Sequence, residues 1–151
     1  MRNNFQTVHL VPINNIKLDI FNFRYYGQLG GQRDCIRAML DDKYSGILNI
    51  ANDIAHYGLT PDPIVISKDD EGEWIVREGN RRITALKLLN NPLIIQDHFL
   101  YSKFRDISQK GVQNLPNYVD CITCYDEDTI LDYLDRLHSG FYNGVGRRPW
   151  N

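Results

Sequence analysis

The sequence predicts a mixed α/β domain in which a small sheet is flanked by helices. Three observations carry this reading. Short apolar runs at residues 8–13, 64–66, 74–76 and 119–124 have strand length and are bounded by turn formers. Between them, residues 33–56, 80–89 and 126–137 repeat apolar side chains at helical spacing. A length of 151 residues, with 42% hydrophobic and 24% charged side chains, suits a single domain with a real core. It does not suit a disordered tail, a coiled coil or a collagen-like chain.

The elements follow in order. The run 8–13 reads as a strand ended by Asn14 and Asn15, and Ile16, Lys17 and Leu18 extend the chain again. Asn22, Phe23 and Arg24 fall in a loop, and the glycine-rich stretch 27–31 reads as a hinge or mobile loop. Ile36, Met39 and Leu40, then Ile47, Ile50, Ala51, Ile54 and Ala55, predict two helices separated by Asp41, Asp42, Ser45 and Gly46. Ser45 is the predicted cap of the second helix and Gly58 its stop. Thr60, Pro61, Asp62 and Pro63 form a turn into the strand at 64–66. Asp69, Asp70, Glu71 and Gly72 predict a hairpin, because an acidic and glycine cluster tolerates positive φ, and 74–76 is its returning strand. Gly79 turns the chain, and Asn80 is the predicted cap of a helix through Leu89, stopped by Asn90, Asn91 and Pro92. Residues 93–106 are amphipathic and predict a further helix, 111–117 a connector and 119–124 a strand. Asp126, Glu127 and Asp128 open the last helix, their charges opposite the positive end of its dipole. Residues 138–151 are rich in glycine and arginine without periodicity, and read as a tail leading to a further C-terminal region.

Lys and Arg number 17 against 19 Asp and Glu, a net charge of −2, which disfavours a strongly basic nucleic-acid binder. No apolar run approaches the roughly 18 residues of a membrane span. The first six residues are polar and lack a signal-peptide core. Three cysteines, Cys35, Cys121 and Cys124, fit a reducing, cytoplasmic setting better than a disulfide scaffold. Cys121 and Cys124 form a C-x-x-C pair, but a strand there turns the two thiols to opposite faces, so the pair reads as structural.

One segment concentrates chemistry. Glu78, Gly79, Asn80, Arg81 and Arg82 join a strand to a helix through a glycine turn. A helix start offers backbone N–H groups and a positive dipole end to an anion. Arginines in that first turn add bidentate grip for phosphate oxygens. From Arg77 to Lys87 the net charge is +3, with Glu78 the one acid. Neither a P-loop nor a dinucleotide-binding glycine pattern occurs. Asp69, Asp70, Glu71 and Glu73 have no lysine placed for a PD-(D/E)xK nuclease and read as a solvated hairpin tip.

Residues 78–89 resemble the G-x-R-R-x-x-A box of the ParB N-terminal domain family, within the ParB/sulfiredoxin superfamily. The order of the preceding features is similar too: Asn22-Phe23-Arg24, a helix ending at Gly58-Leu59, the strand after Pro63 and the hairpin that delivers the box. The resemblance spans about residues 8–137 and implies a nucleotide site, CTP in ParB proteins and ATP in sulfiredoxins. Gly79, Asn80, Arg81 and Arg82 would contact phosphates, Arg24 would reach the same pocket, and Glu78 would hold a water or metal or act as a base. Magnesium would arrive with the nucleotide. Nucleotide hydrolysis or phosphoryl transfer is the implied chemistry, and a nuclease or DNA-partition adaptor the alternative. Asn80 stands where sulfiredoxins carry their cysteine, so reduction of a sulfinic acid lacks its nucleophile. The second phosphate motif of ParB proteins is replaced by Leu137-His138-Ser139-Gly140, where His138 is the candidate to bind phosphate or move a proton. The ParB DNA-reading domain would follow residue 151, so the chain reads either as part of a longer protein that meets DNA through a region outside this chain or as a stand-alone ParB-like domain. Arg147 and Arg148 beside Trp150 read as a solvated tail. A nucleotide, DNA and a second copy of the chain are the partners to test, and a membrane is not among them.

Overall fold

A computed structural model describes residues 4–19, 31–42, 45–110 and 115–138. Arg24, the stretch 27–30, the connector 111–114 and the tail from residue 139, with Arg147, Arg148 and Trp150, lie outside the described residues.

The fold is mixed α/β, as the sequence predicts. The strands are β1 (Gln6–Pro12), β2 (Ile16–Lys17), β3 (Val65–Lys68), β4 (Trp74–Glu78) and β5 (Tyr118–Thr123). The helices are α1 (Gln32–Asp41), α2 (Ile47–Tyr57), α3 (Asn80–Asn90), α4 (Tyr101–Lys110) and α5 (Glu127–His138). The sheet order is β1-β5-β3-β4-β2. The β1–β5 and β3–β4 pairs are antiparallel, and the β5–β3 and β4–β2 pairs are parallel.

Strand alternation divides the sheet between two cores. Ile64, Ile66, Val76, Val119 and Cys121 face the main core with α1 to α4, whereas Val65, Ile122 and Cys124 meet Ile130, Tyr133 and Leu134 of α5 on the other face. The two thiols of the C-x-x-C pair therefore lie in different cores, the arrangement expected of a strand. Burial holds the Cys121 thiol up at about 12, far from a reactive thiolate. α3 is central to the main core: Ile83, Ala85, Leu86, Leu88 and Leu89 are all buried. A helix apolar around most of its circumference has to be enclosed in this way.

Three local expectations are corrected. Ser45 does not cap α2, whose first turn follows Gly46 in the left-handed region at φ 68°; the Ser45 hydroxyl instead donates to the Met39 carbonyl at 2.6 Å and closes α1. Asn80 is the first helical residue of α3, and the capping position belongs to Gly79. Residues 93–106 are not one helix: a 3-10 turn at Pro92–Ile95 precedes α4. His98 interrupts them, because its Nδ1 accepts the Leu100 N–H at 3.1 Å while its Nε2 contacts Asp41 at 2.8 Å. Arg37 holds Asp97 at 2.6 Å beside it, so α1 grips the break from two successive turns.

The hairpin and the stop at Gly58 form as predicted. Asp69 Oδ1 accepts the N–H groups of Glu71 and Glu73 at 2.9 and 2.8 Å, and Gly72 has φ 79°. Lys17 bridges Asp69 and Glu73. Gly58, at φ 81°, donates its N–H to the Ile54 carbonyl at 2.7 Å.

Candidate functional site

The site begins with a register shift. Ile66 pairs with Val76, but the next residue of β3, Val65, pairs with Glu78. One residue of β3 thus spans two steps of β4, a bulge at Arg77. Regular alternation would put Glu78 on the same face as Val76, in the main core. The bulge sets it opposite Val65 instead, on the side where α5 packs.

Glu78 is consequently buried, with 5% of its side chain exposed, and its carboxylate meets His138 Nε2 at 2.8 Å. His138 is the last residue of α5 and lies 60 positions away in sequence. Arg77 turns toward the first residue of the same helix. Its two Nη atoms donate to the Glu127 carboxylate at 2.6 and 2.5 Å, and Nη1 also reaches Ser67 Oγ at 3.2 Å. Glu127 raises the guanidinium's affinity for its proton, and Arg77 lowers the Glu127 carboxyl below its ordinary value. Two consecutive residues of β4 therefore fasten the two ends of α5.

Gly79 then reverses the chain at φ 105°, in the left-handed region that glycine adopts without penalty. Space also requires glycine: a Cβ would come within 3.2 Å of both Arg82 Nη2 and Ile64 Cγ1. The first intrahelical bond of α3 runs from the Ile83 N–H to the Gly79 carbonyl at 2.9 Å, and no side chain caps the start.

Asn80 is 9% exposed, and its Oδ1 is enclosed with no hydrogen-bond partner. A buried polar atom without a partner costs stability and calls for a reason. Arg81 donates to the Ser45 carbonyl at 3.2 Å. Burial favours loss of its proton and the charge of Glu78 opposes that loss, so guanidinium and carboxylate sit within each other's field. Arg82 donates to the carbonyls of Asp62 and Pro63 at 2.7 and 2.9 Å. Those bonds tie the turn before β3 to the first turn of α3.

The structure thus gathers Glu78, Gly79, Asn80, Arg81, Arg82 and His138 around one helix start. The sequence did not identify the carbonyls of Ser45, Asp62 and Pro63 that the arginines engage, since a carbonyl has no residue signature. The partnership of Arg77 with Glu127 was equally hidden, because Arg77 counted only as one more cation of the basic segment.

Among the described residues, the one group of three potential metal ligands is Asp69, Glu71 and Glu73 at the hairpin tip, and Lys17 already pairs with two of its members. Among the described residues, the start of α3 offers one buried carboxylate, Glu78, and no group of three ligands. Among the described residues, no helix is long and apolar enough to cross a membrane. No protein-family description, curated protein or solved structure matches the chain.

Proposed function

We propose that the chain is a ParB/sulfiredoxin-like domain that binds a nucleotide by its phosphates at the start of α3. The observation that carries this reading is Asn80, a polar side chain buried at an uncapped helix start with its Oδ1 lacking a partner. An amide's oxygen and nitrogen exchange places by a half-turn, so the same position presents a donor to a phosphate oxygen. The neighbouring backbone N–H groups and the helix dipole favour the same ligand. Arg81 supplies positive charge at the site. Arg82 contributes through Asp62 and Pro63, whose carbonyls it holds, and so sets the wall against which Gly79 turns. With a single buried carboxylate nearby, magnesium would be held chiefly by the ligand's phosphates. The contact between Glu78 and His138 fixes the end of α5 beside the site.

Calorimetric titration with CTP, ATP, GTP and ADP in the presence of magnesium tests the reading. At least one should bind, and Asn80→Ala should weaken that binding while melting at the same or a higher temperature. A buried polar atom kept at a cost to stability is what a ligand contact looks like. No heat from any of the nucleotides at roughly millimolar concentration, a weak affinity on the usual scale, would overturn it.

A further inference from the structure

α5 covers only part of its sheet face. Ile130, Tyr133 and Leu134 pack over Val65, Ile122, Cys124 and Phe5. Beside the first turn of α5, the far ends of β3 and β4 border a cleft of about 540 Å³ lined by Ser67, Lys68, Trp74, Arg77, Tyr125 and Glu127 among others. That volume lies within the usual range of ligand sites. None of Gly79, Asn80, Arg81 or Arg82 lines it, so it is distinct from the start of α3.

The lining itself carries Asp19 and Glu127 against Lys68 and Arg77, and the chain segments that border it are acidic. Lys68 and Trp74 bracket the hairpin tip with Asp69, Asp70, Glu71 and Glu73, and Tyr125 leads into Asp126, Glu127 and Asp128. These carboxylates outnumber the nearby cations Lys17, Lys68 and Arg77, of which Lys17 and Arg77 are already bonded to acids. Two further observations say what such a rim would hold. The Trp74 ring already receives a cation, since Lys68 Nζ lies 5.0 Å from its centroid, and Tyr125 offers a second aromatic surface that is 92% exposed.

We propose that this cleft docks a peptide segment carrying lysine or arginine. The aliphatic stems of the segment lie on Trp74 and Tyr125. A cationic head takes the place of Lys68 over the Trp74 ring, with Asp70, Glu71, Asp126 and Asp128 around it. A nucleic acid is the wrong partner for this face, because the rim repels phosphates.

Fluorescence anisotropy at low salt, with labelled octalysine, octaglutamate and an oligothymidine, tests the proposal on the full chain. Octalysine should bind saturably, the other two should not, and the double variant Asp70→Lys with Asp128→Lys should bind it roughly tenfold more weakly or worse. Tyr125→Ala should also weaken binding, whereas Asp53→Lys, on an exposed position of α2, should not. All of these side chains are exposed, so the variants keep the fold. No octalysine binding, preference for octaglutamate or oligothymidine, or an equal loss in Asp53→Lys would each overturn the proposal. The last outcome would reduce the attraction to overall charge.

Discussion

Leu10 holds a backbone conformation that a branched side chain avoids, with φ at 54°. It sits in a bulge where three steps of β1, from Val8 to Val11, answer two of β5, from Cys121 to Val119. The Leu10 N–H leaves the ladder and is taken up by Asp120 Oδ1 at 2.8 Å, which with His9 lowers the Asp120 carboxyl below its ordinary value. The Leu10 side chain is 69% exposed and gains little from burial. Leu10→Gly removes the left-handed strain, roughly 1–2 kcal/mol, and costs part of that in unfolded-chain entropy. The net expectation is stabilisation of roughly 0.5–1 kcal/mol in urea melts, and a lower midpoint would refute it. No sequence pattern announced this bulge, because an alternating run looks the same with or without one extra residue. The Gly79 turn was legible for the opposite reason: a glycine between a strand pattern and a helix pattern has few other uses.

α5 shows how an element can be foreseen and its attachment missed. The acids at residues 126–128 and the apolar spacing that follows specify the helix. Nothing in that spacing says that Glu127 will meet Arg77 and His138 will meet Glu78, contacts that depend on a bulge in another element. The two kinds of ion pair on α5 should therefore differ in weight. Arg77 is nine-tenths buried, so Glu127→Gln leaves an enclosed guanidinium short of its counter-charge, at a cost of about 1–3 kcal/mol. Asp132 and Arg136 form an exposed i,i+4 pair, and Asp132→Asn should cost about 0.5 kcal/mol or less. Because the folded state depresses the Glu127 carboxyl, its stabilisation is full above the ordinary glutamate range and is lost as pH falls through the folded value. Urea melts of both variants and the parent near pH 7 and again near pH 3 check this. Equal costs at neutral pH, or an undiminished Glu127 effect in acid, would contradict it.

Across the whole molecule, the net charge of −2 conceals a basic helix start at residues 77–87 and acidic segments at the hairpin tip and on α5. The basic segment was visible in the sequence because its residues are contiguous; the rim was not, because the sheet brings residues 68–74 to residues 125–128. Alkaline stability depends on groups that the fold buries. Lys87, on α3, donates to the Ile13 carbonyl at 3.2 Å, and desolvation lowers its ammonium from 10.5 to about 8. Burial also raises the Cys35 and Cys121 thiols from 9.0 to about 12. Between pH 8 and 9 the unfolded chain keeps the Lys87 proton that the folded chain has released, so stability rises with pH, by at most about 1.4 kcal/mol per unit. The unfolded thiols begin to ionise near pH 8 and are half ionised at pH 9, while the folded ones stay protonated, which offsets part of the Lys87 gain below pH 9 and grows above it. That loss involves two groups and outweighs the continuing gain from Lys87, so stability passes through a maximum near pH 9. Lys87→Met should abolish the rise between pH 8 and 9 and leave the decline above it, now steeper. Urea midpoints measured from pH 7 to 10 check both limbs, and a Lys87→Met profile that still climbs from pH 8 to 9 would place the titrating group elsewhere.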